Sequence, residues 1–155
     1  MKNINESLEI IKNSKLFLEY KKNNPKIFLI NAFGIIEQNE IEWELNFYNP
    51  KTKMITTFSE DDYEEEEQLS QESKPEELIV EKIKFSLGDA YELLKRESSS
   101  ETVSKYITIL QSKDKKPIWN FTLLTASLNV IKIKIDAVTG KIISKDKESI
   151  LSFKK

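Results

Sequence analysis

The sequence predicts an α+β fold made of two tandem units, each laying a helix on an antiparallel β-sheet. Three observations carry that prediction. Along the 155 residues, apolar positions twice recur at helical spacing and then switch to alternation. A block of acid separates the two occurrences, with ten acidic residues against the single Lys74 between Glu60 and Glu77. Each half also carries one tryptophan at an alternating position, Trp43 in the first and Trp119 in the second.

The first unit, residues 1–58, opens on a stripe of Ile4, Leu8 and Ile11, and apolar residues resume at Phe17 and Leu18 after Asn13-Ser14. Ser14 has the side chain of an N-cap, so the helix is broken into two, over 5–13 and 15–23. Asn23-Asn24-Pro25 ends the second. Residues 26–36 favour strand on both faces, and Ile41, Trp43, Leu45 and Phe47 alternate with Glu42, Glu44, Asn46 and Tyr48. Asn49-Pro50-Lys51-Thr52-Lys53 is turn chemistry ahead of a third strand, Met54 to Phe58, giving a hairpin.

Residues 59–77 are expected to be an acidic flexible linker, because like charges repel one another and solvate well. In the second unit, 78–155, Leu78 to Phe85 alternates enough to predict a strand. Ser86 then starts a helix whose Leu87, Ala90, Tyr91 and Leu94 share a side, and Asp89 completes an approximate capping box. Strands follow over 105–111, 118–125 and 128–136, with a short return over 140–144. In the third of these, Lys132 and Lys134 alternate with Ile131, Ile133 and Ile135, which gives one wet and one buried face.

Composition excludes several chemistries. The chain has no cysteine and no histidine, so disulfides, Cys/His zinc sites, histidine-based nucleophile triads and imidazole bases are out. Its three glycines, Gly34, Gly88 and Gly140, do not form a Gly-rich phosphate loop. A calcium loop of the hand type starting at Asp61 or Asp62 would need glycine where Glu66 or Glu67 stands. No cofactor, metal or catalytic constellation is therefore expected, and the chain reads as a non-enzyme. The opening MKNINESLEIIK has no apolar core of a secretion signal, and no apolar run spans a bilayer, so a cytoplasmic location without membrane contact is expected.

Phe85-Ser86-Leu87-Gly88-Asp89-Ala90 opens the last helix, Pro117-Ile118-Trp119-Asn120-Phe121 stands on a strand, and Ile135-Asp136-Ala137-Val138-Thr139-Gly140-Lys141-Ile142 closes the pattern. With these residues the second half resembles a PepSY-type domain. The first half resembles a degenerate copy of that unit. The whole is similar to two-unit archaeal proteins with a tryptophan-to-proline turn like Trp43 to Pro50. The resemblance implies a helix packed on an antiparallel sheet and a non-catalytic role, either as a binding module or as a peptidase inhibitor.

The residues singled out as a binding or structural signature are Trp43, Trp119, Asp136, Thr139, Gly140, Lys132 and Lys134. Tryptophan at an alternating strand position fills core, with its N–H seeking one partner. Asp136 to Gly140 has the residue types of a tight turn, an aspartate bonding its own backbone and a glycine free to take positive φ. From Glu101 onward eleven lysines face five acids, which admits weak phosphate binding, but Arg96 is the only arginine available for bidentate recognition. The expected function is non-catalytic capture of a protein or peptide partner, for instance along an exposed sheet edge. Peptidase inhibition is the first alternative and lysine-driven nucleic-acid binding the second.

Overall fold

A computed structural model describes residues 1–67 and 75–153 of the chain. Among them, helices α1 (Ile4–Lys12) and α2 (Lys15–Asn23) precede strands β1 (Phe28–Glu37), β2 (Glu40–Tyr48), β3 (Met54–Phe58) and β4 (Tyr63–Glu67). Helix α3 (Leu87–Glu97) precedes β5 (Val103–Lys113), β6 (Lys116–Thr125), β7 (Asn129–Asp136) and β8 (Ile142–Ser149). The eight strands form one antiparallel sheet in the order β4-β3-β2-β1-β5-β6-β7-β8. Two four-stranded meanders thus meet through their first strands.

The helices begin where side chains cap them. The Asn3 carboxamide accepts the Glu6 N–H at 2.9 Å, and the Ser14 hydroxyl accepts the Phe17 N–H at 3.2 Å and breaks the N-terminal helix as its sequence predicts. Ser86 and Asp89 form a reciprocal capping box at α3. Helices of nine to eleven residues are too short to persist alone, so their stability comes from the face they bury. Ile4, Leu8, Ile11, Phe17, Leu87, Ala90 and Leu94 pack on one face of the sheet. There they meet Trp43, Leu45 and Phe47 of β2, Leu110 of β5, Trp119, Phe121 and Leu123 of β6, and the isoleucines of β7. Each large side chain so buried contributes about 1.5–3 kcal/mol.

The junction has a regular register. In β1·β5, Gly34 faces Thr108, Ala32 faces Leu110, and Phe33 faces Ile109 between them. The spacing that separates Trp43 from Trp119 also separates Phe33 from Ile109 and the turn Gln38-Asn39 from the turn Asp114-Lys115. Both turns are two-residue hairpin links with positive φ at each residue, 52° and 62° in the first and 53° and 66° in the second.

Three predicted elements differ in the structure. Residues 78–85 do not form a strand: Val80–Lys82 is a single 3-10 turn within an extended strap. The Leu78 N–H bonds the Leu29 carbonyl, and the Lys84 and Phe85 N–H groups share the Ala137 carbonyl. The alternation in that stretch reflects burial of Leu78 and Val80 as the strap crosses the sheet, while the place beside β1 is taken by β5. The two meanders consequently join through β1·β5 and not through the strap. Within the acidic stretch, Tyr63–Glu67 is strand β4, paired to β3. It is held by Tyr63 stacked on Phe58 at 5.3 Å and by the Tyr20 hydroxyl donating to Glu65. Residues 68–74 of the expected linker lie outside the described residues. Beyond them, the Glu76 carboxylate accepts the Asp114 and Lys115 N–H groups at 2.9 and 2.8 Å, which holds its pKa below the usual range. The final strand runs to Ser149, five residues past its predicted end.

Two local features yield tests. Glu101 gathers Lys147 at 2.7 Å, Ser127 at 2.8 Å and Asn129 at 2.8 Å, tying the loop after α3 to β8 and to the β6–β7 turn. Its carboxyl is depressed from the ordinary 4.5 to about 2, first by the Lys147 bond and then by Ser127 and Asn129. A depressed folded pKa stabilises the fold fully above the ordinary value and loses that contribution as pH falls toward 2. Thermal melts of Glu101→Gln are therefore expected to show a deficit against wild type at neutral pH that shrinks as the pH approaches 2. Thr108 sits fully buried with no partner for its hydroxyl among the described residues. Because an unpaired buried hydroxyl costs more than an apolar group of the same shape, Thr108→Val is expected to raise stability by about 1–2 kcal/mol in denaturant titrations.

Candidate functional site

Strand β2 is nine residues long and β3 only five, so β3 cannot cover all of it. Their ladder runs from Tyr48↔Ile55 to Leu45↔Phe58, after which Ser59 turns toward β4. Glu40 to Glu44 of β2 have no strand on their outer side among the described residues. The direction of their backbone groups follows from the register. Asn49 and Met54 bond across the turn, and bonded pairs alternate in an antiparallel ladder, so Phe47 and Leu45 also point their N–H and C=O groups toward β3. The same parity turns the N–H and C=O groups of Trp43 and Ile41 outward, with no strand among the described residues to receive them. Four strongly polar backbone groups are thus offered in a row.

They open into a cleft of about 610 Å³. On the sheet's open face its lining includes Phe33, Ile35, Glu42 and Glu44. On the helix side it includes Lys2 and Ser7, with Ser59, Glu60 and Asp61 across the gap. Six carboxylates, Glu37, Glu40, Glu42, Glu44, Glu60 and Asp61, line the cleft against the single Lys2. The Lys2 ammonium lies 2.6 Å from Glu60, whose carboxylate also takes the Ser7 hydroxyl at 3.3 Å. The Glu60 bond raises the pKa of Lys2. One lysine of the chain itself therefore already occupies an acidic wall of this cleft.

Chemically, such an edge can accept an added strand, because its backbone donors and acceptors point outward and Glu40, Glu42 and Glu44 stand at alternate positions. The exposed edge is short, and its neighbouring acids discourage pairing with uncharged strands.

The sequence-predicted site residues fall in three places. Trp43 and Trp119 are core, 3% and 1% exposed, and the fold brings them together with ring centroids 6.3 Å apart. Their indole N–H groups donate to the Lys2 carbonyl at 3.0 Å and to the Phe85 carbonyl at 2.9 Å, so each tryptophan pins the segment leading into a helix. Trp43 also lines the cleft.

Asp136, Thr139 and Gly140 form the β7–β8 turn. The Asp136 carboxylate accepts the Val138 N–H at 2.8 Å and the Thr139 N–H at 3.1 Å, and these bonds hold its pKa below the usual range. Thr139 accepts the Lys141 N–H, and Gly140 takes φ 78°. A Cβ on Gly140 would also meet the Phe85 ring at 2.6 Å. The turn after β2 repeats this bonding with Asn49 in the place of Asp136, Thr52 in that of Thr139 and Lys53 at φ 61°. Asn49 additionally donates to Asn24 and so locks the end of α2 to the turn.

Lys132 and Lys134 stand exposed on the open face of β7, away from the cleft. Of the other lysines in the second half, Lys105, Lys145 and Lys147 are engaged by Glu37, Glu97 and Glu101. The cleft itself escaped sequence reasoning, although the excess length of β2 over β3 and the Glu60-Asp61-Asp62 run that ends β3 were signals for it. Among the described residues no helix is long and apolar enough to cross a membrane.

No family model and no curated protein matches the sequence. Among solved structures, the chain is similar to a Clostridium difficile 630 protein described as a "putative lipoprotein", with a TM-score of 0.60 and 13% identity over 86% of this chain and 90% of that one. At that identity the likeness is one of fold.

Proposed function

We propose that the protein is a non-catalytic binding module that captures an extended, lysine-bearing segment of a partner protein by adding it as a strand to the outer edge of β2. The observation that carries this reading is the unpaired edge at Ile41 and Trp43 opening into a cleft walled by carboxylates. Main-chain hydrogen bonds to that edge would supply affinity, and acids on both sides would select cationic side chains. The mechanism is occupancy without turnover, in keeping with a chain that has neither imidazole nor thiol. In this reading the two meanders are copies of one unit, a view supported by the shared spacing of their tryptophans and hairpin turns. The PepSY-type resemblance of the second half fits such a role, and peptidase inhibition is the same capture with a peptidase as the partner.

A hexapeptide of alternating lysine and valine tests the reading by calorimetric titration. Binding is expected at low salt. N-methylation of the alternate residues that face β2 is expected to weaken it at least about tenfold, while methylation of the other set leaves it intact, since only one set of amides faces the edge strand. The double variant Glu40→Lys/Asp61→Lys is expected to weaken binding by a similar factor. Equal affinity for both methylated peptides would reduce the interaction to diffuse charge attraction and overturn the strand-addition reading.

A further inference from the structure

The face of the sheet opposite the helices carries an ordered pattern that extends beyond the cleft, which shares only its β2–β1 end, Phe33, Ile35, Glu42 and Glu44. Two rows of facing residues cross it. One runs Glu42, Ile35, Ile107, Thr122, Lys132 and on to Asp146, and the next runs Glu44, Phe33, Ile109, Asn120, Lys134 and on to Ser144. From β2 to β7 each row reads acid, two apolar residues, a neutral polar residue, then base, and β8 adds an acid beyond the first and a serine beyond the second. The centre, Phe33, Ile35, Ile107 and Ile109, is an apolar square on the β1·β5 seam, in which Ile109 is 37% exposed. The four flanking charges are all exposed, and none has an ion-pair partner among the described residues.

We propose that this face is covered by a second copy of the same chain, packed sheet to sheet about a two-fold axis parallel to the strands and lying along the β1·β5 seam. The argument is one of symmetry and charge. A two-fold along the strands reverses the order of strands while keeping each row level with itself. The apolar square then covers its own copy, and the β2 side of one protomer faces the β6–β7 side of the other. Glu42 and Glu44 come opposite the partner's Lys132 and Lys134, one strand spacing to the side, about 4.8 Å and well within the reach of these side chains. A two-fold across the strands would instead set acid on acid and is disfavoured. Such a pairing is isologous and closed, so it ends at a dimer, and sheets stacked face to face are a standard packing. From β2 to β7 the patch is about 19 Å wide, at four strand spacings. That is small for a stable interface, so the dimer is weak and sensitive to salt. The pattern shares Phe33, Ile35, Glu42 and Glu44 with the cleft but uses no backbone of the β2 edge, so self-association is read without the peptide and the two proposals fail separately.

Sedimentation equilibrium tests the proposal. The full chain at low salt is expected to dimerise at concentrations up to about 1 mM, with dissociation favoured as salt is added. Glu42→Lys/Glu44→Lys makes both ends of the β2-to-β7 rows basic, and Lys132→Glu/Lys134→Glu makes both ends acidic. Each is expected to weaken self-association at least about tenfold, and an equimolar mixture of the two is expected to recover it as a heterodimer. Ile109→Ser, which alters no charge, is expected to weaken the wild-type dimer as well. A wild-type chain that stays monomeric throughout would overturn the proposal. So would a dimer indifferent to all three variants, or charge-reversed chains that fail to associate on mixing.

Discussion

Six residue pairs, from Asn31 with Gln111 to Ile36 with Tyr106, hold two meanders in one sheet. This seam places Trp43 beside Trp119, so that helices preceding each meander cover a single apolar face. Neither meander would bury its tryptophan as completely alone, because each indole packs partly against residues from the other side of the seam. The seam also sets the pattern of the opposite face. Phe33 and Ile109 face each other there because Gly34 and Thr108 face each other beneath the helices, and in a strand one side of the pleat fixes the other.

The tight turns serve the same end. Asp136 to Gly140 closes the last hairpin and, through the Ala137 carbonyl, holds the strap that leads into α3. Asn49 does the corresponding work for α2 by bonding Asn24. Glu76 fastens the other end of the strap to the Asp114-Lys115 turn, whose left-handed residues gain two charge-assisted bonds in return. These contacts tie the segments around α2 and α3 to turns of the sheet, while the stretch of β2 beyond β3 lines the cleft.

Much of this was legible in the residues. Helical spacing with Asn3, Ser14 and Ser86 at the right places gave the helices and their ends, and alternation around Trp43, Trp119 and Lys132 gave three strands with the correct face inward. The rest depended on partners far away in the chain. Residues 78–85 alternate as a strand does, but a strand needs a free edge, and β5 occupies the edge of β1. Tyr63–Glu67 reads as solvated acid, yet Tyr63 finds Phe58 and Tyr20, and the glutamates need only a ladder partner on one side. The bare edge of β2 could be inferred only by comparing the lengths of two strands, and the acid-to-base rows only by knowing that β1 lies against β5.

Amide hydrogen exchange is the most direct probe of the unpaired edge. On the account given, the Trp43 and Ile41 amides exchange faster than those of Leu45 and Phe47, which the ladder to β3 protects, although all four side chains are buried alike. Addition of the lysine–valine peptide then slows Trp43 and Ile41 alone within β2. Uniform protection along β2 in the free protein, or peptide binding that leaves those two amides unchanged, would contradict it.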